Sequence, residues 1–335
     1  MGSFLSKNEL LILITGGLTG LGLHAGRQLA EKGASVVIVA RNSSNLEEGI
    51  RYISQGARSS ETQRFHSIRA DVTTAPECAR VLEETITWNG GSPPDVVWCC
   101  SGSAHPTLFI DTPLDQFQTM MDSNYFSCVY MAHAVLNSWL RSVVETTTQS
   151  ESAKRTSLPA RHLIFTGSFV SFYSFSDFTP YSPSKAAIRS LSDSLSQEMN
   201  LYATAHPELP PVRVHTVFPA TMPTQSLEDE NRVKTDLTKS LEEGDQVLPA
   251  EECARRAIAG LESGEELIPT STIIWAVMTS VMGGSIRVGF WKGLLNTLAG
   301  WITLIVMVFI RWDMDMKVAQ WGKKHGSSGM LKKKK

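Results

Sequence analysis

With 335 residues, 42% hydrophobic content and a formal net charge of −2, the chain has enough apolar material for a sizeable core and lacks the basic footprint of a nucleic-acid binder. Its five cysteines, Cys78, Cys99, Cys100, Cys128 and Cys253, show no Cys-x-x-Cys spacing, and no histidines stand at ligand spacing. No metal site is therefore predicted, and the thiols read as reduced groups in a cytosol-facing protein, with Cys99-Cys100 as strand core.

No cleavable signal is expected, because the first apolar run reads as a strand; Met1-Gly2 with Ser6 fits the loose myristoylation pattern, which is common by chance. That run, Leu10-Leu11-Ile12-Leu13-Ile14, has the unbroken apolar character of a buried parallel strand. Thr15-Gly16-Gly17-Leu18-Thr19-Gly20-Leu21-Gly22 follows, then a helix from Leu23 to Lys32 closed by Gly33, and a second strand from Ser35 to Val39. Together they make a βαβ unit of about thirty residues. Glycines at 16, 20 and 22 permit a tight turn and let backbone amides approach a pyrophosphate at the helix N-terminus, so Gly16, Gly20, Leu21 and Gly22 are cofactor-binding candidates. A lone glycine pattern is weak; flanked by strand, helix and strand it is strong. An acid at the end of the second strand would bind the ribose hydroxyls of NAD. Here the strand ends Val39-Ala40-Arg41-Asn42-Ser43-Ser44, with no acid and one guanidinium. Arg41 is the candidate for the 2′-phosphate of NADP, with Ser43 and Ser44 as hydroxyl donors; the alternative is a solvated loop arginine.

The alternation continues with a helix over Asn45–Gln55, a strand over Phe65–Ala70 leading to Asp71, and a helix over Ala75–Trp88. A strand from Asp95 to Cys100 ends in Cys100-Ser101-Gly102, and a helix around Asn124 to Leu140 follows. The polar run 143–157 is expected to be a mobile insertion. Leu163-Ile164-Phe165 reads as a buried strand ending near Ser168, Tyr181 to Leu201 as a helix and Val212 to Phe218 as a strand. Repeated alternation without internal repeats predicts an α/β, Rossmann-like, doubly wound parallel sheet. Tyr181 and Lys185 stand four apart and project from one helix face. A fixed ammonium favours the phenolate, and is expected to lower the tyrosine from about 10 by roughly 1–3 units. Ser168 is placed to hydrogen-bond a substrate oxygen as charge builds on it. A lone Tyr-x-x-x-Lys also arises by chance, so that pair decides nothing by itself.

The ordered set Thr15-Gly16-x-x-x-Gly20-x-Gly22, Asp71, Asn124, Ser168, Tyr181-x-x-x-Lys185 and Pro219 to Thr224 resembles the short-chain dehydrogenase/reductase family over roughly residues 8–265. The resemblance implies Tyr181 as general acid–base, Lys185 as its tuner and nicotinamide-ribose ligand, and Ser168 as the group orienting the carbonyl. It further implies Asn124 as the holder of a relay water, Asp71 as the adenine contact, Gly102 as part of the cofactor wall and Thr224 as the carboxamide contact. Read locally, Asn124 is a helix polar group with nearby bonds and Asp71 a turn residue. Two departures stand out: the usual Asn-Ala-Gly is Cys100-Ser101-Gly102, and the usual Pro-Gly is Pro219-Ala220. Related enzymes often pair through the helices bearing Asn124 and Tyr181, which makes a homodimer an expectation.

The polar stretch 220–248 occupies the place of the family's substrate lid, an ordinary surface helix being the alternative. Ile273 to Met282 is apolar, and Gly293 to Ile310 carries no charge over eighteen residues, which as helix span about 27 Å against a bilayer core of about 30 Å. Trp291, Trp301 and Trp312 with Arg311 suit interfacial anchoring near the ends, although Trp301 falls mid-segment. A buried or partner-binding core helix is the alternative. With Arg287 and Lys292 between the two segments, a hairpin or in-plane membrane element is expected rather than two clean spans. The expected organisation is an NADP-binding catalytic domain over 1–268, a membrane-associated segment over 269–312 and a basic cytosolic tail over 313–335. Lys332 and Lys333 fit an endoplasmic-reticulum retrieval signal. An NADPH site beside a membrane segment suggests a ketone on a poorly soluble lipid. Within the family the likeness is to members that reduce a long-chain keto-sphingoid base, 3-ketosphinganine, to sphinganine. It lies in the glycine turn, Ala40-Arg41, Cys100-Ser101-Gly102, Tyr181-Ser182-Pro183-Ser184-Lys185 and the apolar C-terminal segment. A membrane-bound steroid or retinoid dehydrogenase, and a non-catalytic NADP-sensing scaffold, are the alternatives.

Overall fold

A computed structural model describes residues 10–42, 45–140, 158–245, 247–281, 289–326 and 329–331. Gly2, Ser43, Ser44, the 143–157 insertion, Arg287 and Lys332 to Lys335 lie outside the described residues. Seven parallel strands, β1 (Leu11–Thr15), β2 (Ser35–Ala40), β3 (Phe65–Arg69), β4 (Val96–Cys99), β5 (Arg161–Thr166), β6 (Val212–Phe218) and β7 (Leu267–Pro269), form one sheet in the order β3-β2-β1-β4-β5-β6-β7. Leu13 is paired with Val37 on one side and Val97 on the other, so β1 is central. Strand order reverses between β1 and β4, and such a reversal opens a crevice beyond the strands' C-terminal ends.

The unbroken apolar strands follow from burial on both faces. Ile12, Ile14, Ile38, Trp98 and Ile164 meet α1 (Gly20–Glu31), α2 (Leu46–Ser54) and α9 (Ala250–Glu262) on one face. Leu11, Leu13, Val37, Val97 and Leu163 meet α3 (Ala75–Trp88), α5 (Ser127–Leu140) and α6 (Ser182–Ala205) on the other. Successive residues of one strand thus serve different cores. The doubly wound sheet agrees with the sequence reading, while β7 and α9 extend it. Between α4 (Leu114–Met120) and α5, the predicted regular helix around Asn124 is instead a wide turn, Met121–Phe126, in which the Ser127 amide donates to Asp122 O five residues back.

The stretch 220–248 folds as two short helices, α7 (Gln225–Val233) and α8 (Asp236–Leu241). α10 (Thr272–Val281) buries Ile274 and Met278 in the first core. α11 (Phe290–His325) crosses it closely: a Cβ on Gly300 would lie 2.5 Å from Thr279 O, the small-residue contact that lets two helix backbones approach. At 36 residues, α11 spans about 54 Å. It is long and apolar enough to cross a membrane by length and composition. Yet it is tied to the sheet-bearing body near both ends. Lys292 Nζ lies 2.6 Å from Glu265 Oε1, and past its C-terminus the Leu237 amide donates to Gly329 O and the Leu331 amide to Asp236 Oδ2, both at 2.9 Å. The outward face carries Trp291, Leu295, Trp301, Ile302, Ile305, Phe309 and Trp312, all exposed.

Candidate active site

At the crevice between β1 and β4 the chain leaves the sheet through Gly16, whose φ of +70° suits glycine. A Cβ there would lie 2.7 Å from Ser101 N, and one on Gly22 would lie 2.5 Å from Gly16 O, so the turn closes only with glycine at both positions. Thr19 caps α1 without a side-chain hydrogen bond, and no acid occupies the first turn. The first-turn amides, including those of Leu21 and Gly22, are left to a ligand at the positive end of the helix. This cradle fits a dinucleotide pyrophosphate.

A cleft of ≈ 470 Å³ is lined by the glycine turn, Gly102, Asn124, Ser168, Tyr181, Lys185 and Thr224. Asn124 is fully buried in the wide turn; its Nδ2 donates to Ser103 O at 2.9 Å and Met120 O at 3.0 Å, and its Oδ1 accepts from Ser103 N at 3.1 Å. The amide thereby fixes the loop after β4. Gly102 rests against Asn124 Oδ1 so closely that no Cβ fits between them. Cys100 lies beyond β4 and lines the cleft, and only Cys99 is strand core. Burial pushes the Cys100 thiol up to about 12, leaving it protonated and inert.

Ser168 opens a short turn, Phe169–Ser171, where its Oγ accepts from Val170 N at 3.4 Å. Tyr181, the N-cap of α6, and Lys185 in its first turn both face the cleft. Lys185 Nζ donates to Thr166 O at 2.9 Å and sits 5.7 Å from the Tyr181 ring centre. Burial pulls its ammonium below the ordinary lysine value. The phenol differs from expectation: burial first, then the Glu230 carboxylate, hold Tyr181 well above its ordinary value, and the hydrogen bond with Ser168 only partly opposes them. The reason is geometric, since the ammonium is anchored on Thr166 while an acid from α7 faces the phenol.

Arg41 and Asp71 lie outside the cleft lining, at the ends of β2 and β3. Arg41 is exposed, and its carbonyl accepts from Arg69 Nε at 3.4 Å, which places a second guanidinium beside it. Asp71 Oδ1 accepts from Thr73 N at 3.1 Å and Thr73 Oγ1 at 2.8 Å, the bonding of a turn residue. Thr224 caps α7 by accepting from Leu227 N at 3.4 Å, and its Cγ2 would stand 3.3 Å from a Cβ on Gly20 across the cleft. Ala220, in the place of the usual glycine, donates its N–H to Thr270 Oγ1 at 2.8 Å.

Residues 10–235 match the family profile described as short chain dehydrogenase. The chain belongs to the short-chain dehydrogenase family. It is 40% identical over 322 residues to 3-ketodihydrosphingosine reductase ksrA of Aspergillus fumigatus, covering 94% of this chain and 85% of that one. It is 36% identical over 341 residues to 3-ketodihydrosphingosine reductase gsl-3 of Neurospora crassa, covering 100% and 90%. Among solved structures, the short-chain dehydrogenase from Sphingobium yanoikuyae in complex with NADPH superposes with a TM-score of 0.63 at 19% identity, covering 86% of this chain and 95% of that one, a likeness of fold.

As a short-chain dehydrogenase the chain is an oxidoreductase, and its cleft holds groups that the motifs did not reveal. Glu230 and Glu242 bracket the buried Lys234 ammonium at 2.9 and 2.7 Å. Thr235 and Thr238 donate their hydroxyls to the buried Asp177, joining the α7–α8 segment to the loop before α6. Tyr173, Ile273, Ile274, Ile310 and Met314 close the far end. No short motif contains them: their only signal was the apolar character of the segments around 273 and 310.

Proposed function

We propose that the chain reduces the 3-keto group of 3-ketosphinganine to sphinganine with NADPH, at the endoplasmic-reticulum membrane, its catalytic domain facing the cytosol. One observation carries this reading. A single cleft joins Ser168, Tyr181 and Lys185 to a glycine cradle at one end and to an exposed apolar helix at the other. The curated relatives above add weight, since the match runs through both the catalytic part and α11.

When bound, a reduced nicotinamide would supply a hydride for the carbonyl carbon. Tyr181 supplies the proton at its Oη. Because burial and Glu230 hold the phenol high, it is protonated at neutral pH, the form that reduction requires. An alkoxide is far more basic than a phenolate, so the transfer runs downhill. Ser168, which lines the cleft with Tyr181, orients the carbonyl oxygen beside that phenol. Lys185, braced on Thr166 O, holds the ribose, and Asn124 keeps the Ser101–Ser103 loop in place beside it. Arg41, with Arg69 adjacent and no acid at the end of β2, supports a preference for the 2′-phosphate.

α11 is assigned to the plane of the membrane surface. A helix of about 54 Å whose two ends both rest on one catalytic body cannot pass through the bilayer while that body stays on one side. Its apolar, tryptophan-bearing outer face suits the headgroup–acyl boundary. The catalytic domain is assigned to 1–268 and the membrane-associated segment to 269–312, with Ile274 and Met278 of α10 rooting that segment in the core.

The test is a substrate panel on membranes bearing the full chain. Rapid conversion of 3-ketosphinganine with NADPH, and much slower conversion with NADH, is expected. Preference for a steroid or a retinal would replace the reading with a dehydrogenase of those lipids, and no turnover of any ketone would replace it with a nucleotide-sensing role.

A further inference from the structure

α11 is two things at once. Its outward face is a continuous exposed apolar stripe, and its inward face reaches the reacting cleft at Ile310 and Met314. Those two side chains line the same cavity as Tyr181. With them stand Ile273 and Ile274 at the start of α10, and Tyr173 from the turn after β5. The cavity is lined by glycines where the first strand enters its helix, by Glu230, Lys234 and Glu242 on the α7–α8 side, and by apolar side chains on α10 and α11. Burial holds the Tyr173 phenol above its ordinary value, and Arg311, the residue after Ile310, lies near enough to oppose that in part. It also pairs with Asp315 at 3.0 Å, one turn further along the helix. The charged half of α11 thus begins where the helix passes the mouth of the cleft. At that point the side chains change from lipid-suited to water-suited.

We propose that Ile310 and Met314, with Tyr173, Ile273 and Ile274, form the subsite for the alkyl chain of the lipid ketone, which enters from the membrane face of α11. This rests on the functional reading above and adds to it a route and a wall. A long hydrocarbon chain costs about 0.8 kcal/mol for each methylene brought from an apolar phase into water. A path on which the carbonyl reaches Tyr181 while the chain stays against Ile310, Met314 and the bilayer avoids that cost. Tail recognition by ordinary apolar surface also discriminates weakly per methylene and strongly over a whole chain. Position 310 is half-open to the outside, with 42% of its surface exposed, as a residue at a doorway should be.

Two measurements on the full chain in membranes test the assignment. In the first, a long-chain keto-amine carrying a diazirine near its methyl end is photolysed on the unmodified protein with NADP present. Crosslinks to the peptide containing Ile310 and Met314, or to that containing Ile273 and Ile274, are expected. Labelling confined to the α7–α8 segment, or no labelling of those peptides, overturns the subsite whether or not the compound is turned over. In the second, Ile310→Trp and Met314→Trp are compared using a long-chain 3-keto sphingoid base and a water-soluble short-chain homologue. The ratio of long- to short-chain kcat/KM is expected to fall about tenfold or more, chiefly through the long-chain KM. An unchanged ratio, with both substrates affected alike, would show that α11 only supports the fold. If the unmodified chain reduces neither homologue, the functional reading fails on its own, and the crosslinking pattern still decides whether this wall receives an alkyl chain.

Discussion

Where β1 passes into α1, the cleft wall is nearly all main chain; across from it, the wall is built of side chains gathered from four separate segments. At the first end a Cβ on Gly16 or Gly22 would strike backbone atoms within 2.7 Å, so position is set by the absence of side chains. At the second, Tyr173, Glu230, Ile273, Ile310 and Met314 come from the turn after β5, α7, α10 and α11. A wall of backbone is rigid and recognises what all dinucleotides share. A wall of side chains can be exchanged one residue at a time, which is how one family fold comes to serve many ketones.

Removing one oxygen separates the two ends most sharply. Tyr181→Phe should lower kcat by about 10²- to 10⁴-fold while the affinity for NADPH, measured by fluorescence titration, stays within error. Substantial residual turnover would remove the phenol from the proton transfer. Arg41→Glu addresses the backbone end. A charge-assisted contact worth about 1.5–3 kcal/mol predicts a rise in the NADPH KM of about tenfold to a hundredfold, with little change for NADH. Equal changes for both cofactors would show that Arg41 does not read the phosphate. Gly22→Ala should cost about 1–3 kcal/mol through the collision with Gly16 O, seen as a lower thermal midpoint together with weaker cofactor binding. Loss of stability with unchanged cofactor affinity would break the link between the turn and the pyrophosphate. Glu230→Gln should act least at neutral pH and be visible in the pH profile. Without that carboxylate the phenol's pKa falls, so the loss of reduction as pH rises begins at a lower pH. An alkaline limb that does not move would mean that the α7 acid does not influence the proton donor.

The same division explains what could be read in advance. Gly16, Gly20 and Gly22 were legible because few residue types tolerate positive φ or a backbone in van der Waals contact, and Tyr181 and Lys185 because a helix brings residues four apart together. The strands were legible from unbroken apolar runs, which double-sided burial requires. Glu230 was not, because its nearness to Tyr181 depends on how α7 folds back over the sheet, about fifty residues later in the chain. The sign of the tyrosine's perturbation was misread for the same reason: local spacing named Lys185, while Thr166 O held that ammonium and a distant acid faced the phenol. Ile310 was legible as the end of an apolar run but not as part of the cleft, since the 3.6-residue period does not say which of two apolar faces a long helix turns inward, and Met314 fell in the stretch read as a basic tail, through which α11 continues to His325.

The wide turn at Met121–Phe126 has a consequence of its own. By carrying one more residue than a regular turn, it advances everything before it by about 100° around the helix axis relative to α5. Asn124 reaches the Ser103 backbone because of that offset. Deleting a single residue there would knit α4 and α5 into one continuous rod and swing the amide away from its loop. The chain has kept an irregular rod whose phase is correct over a perfect one whose phase is wrong.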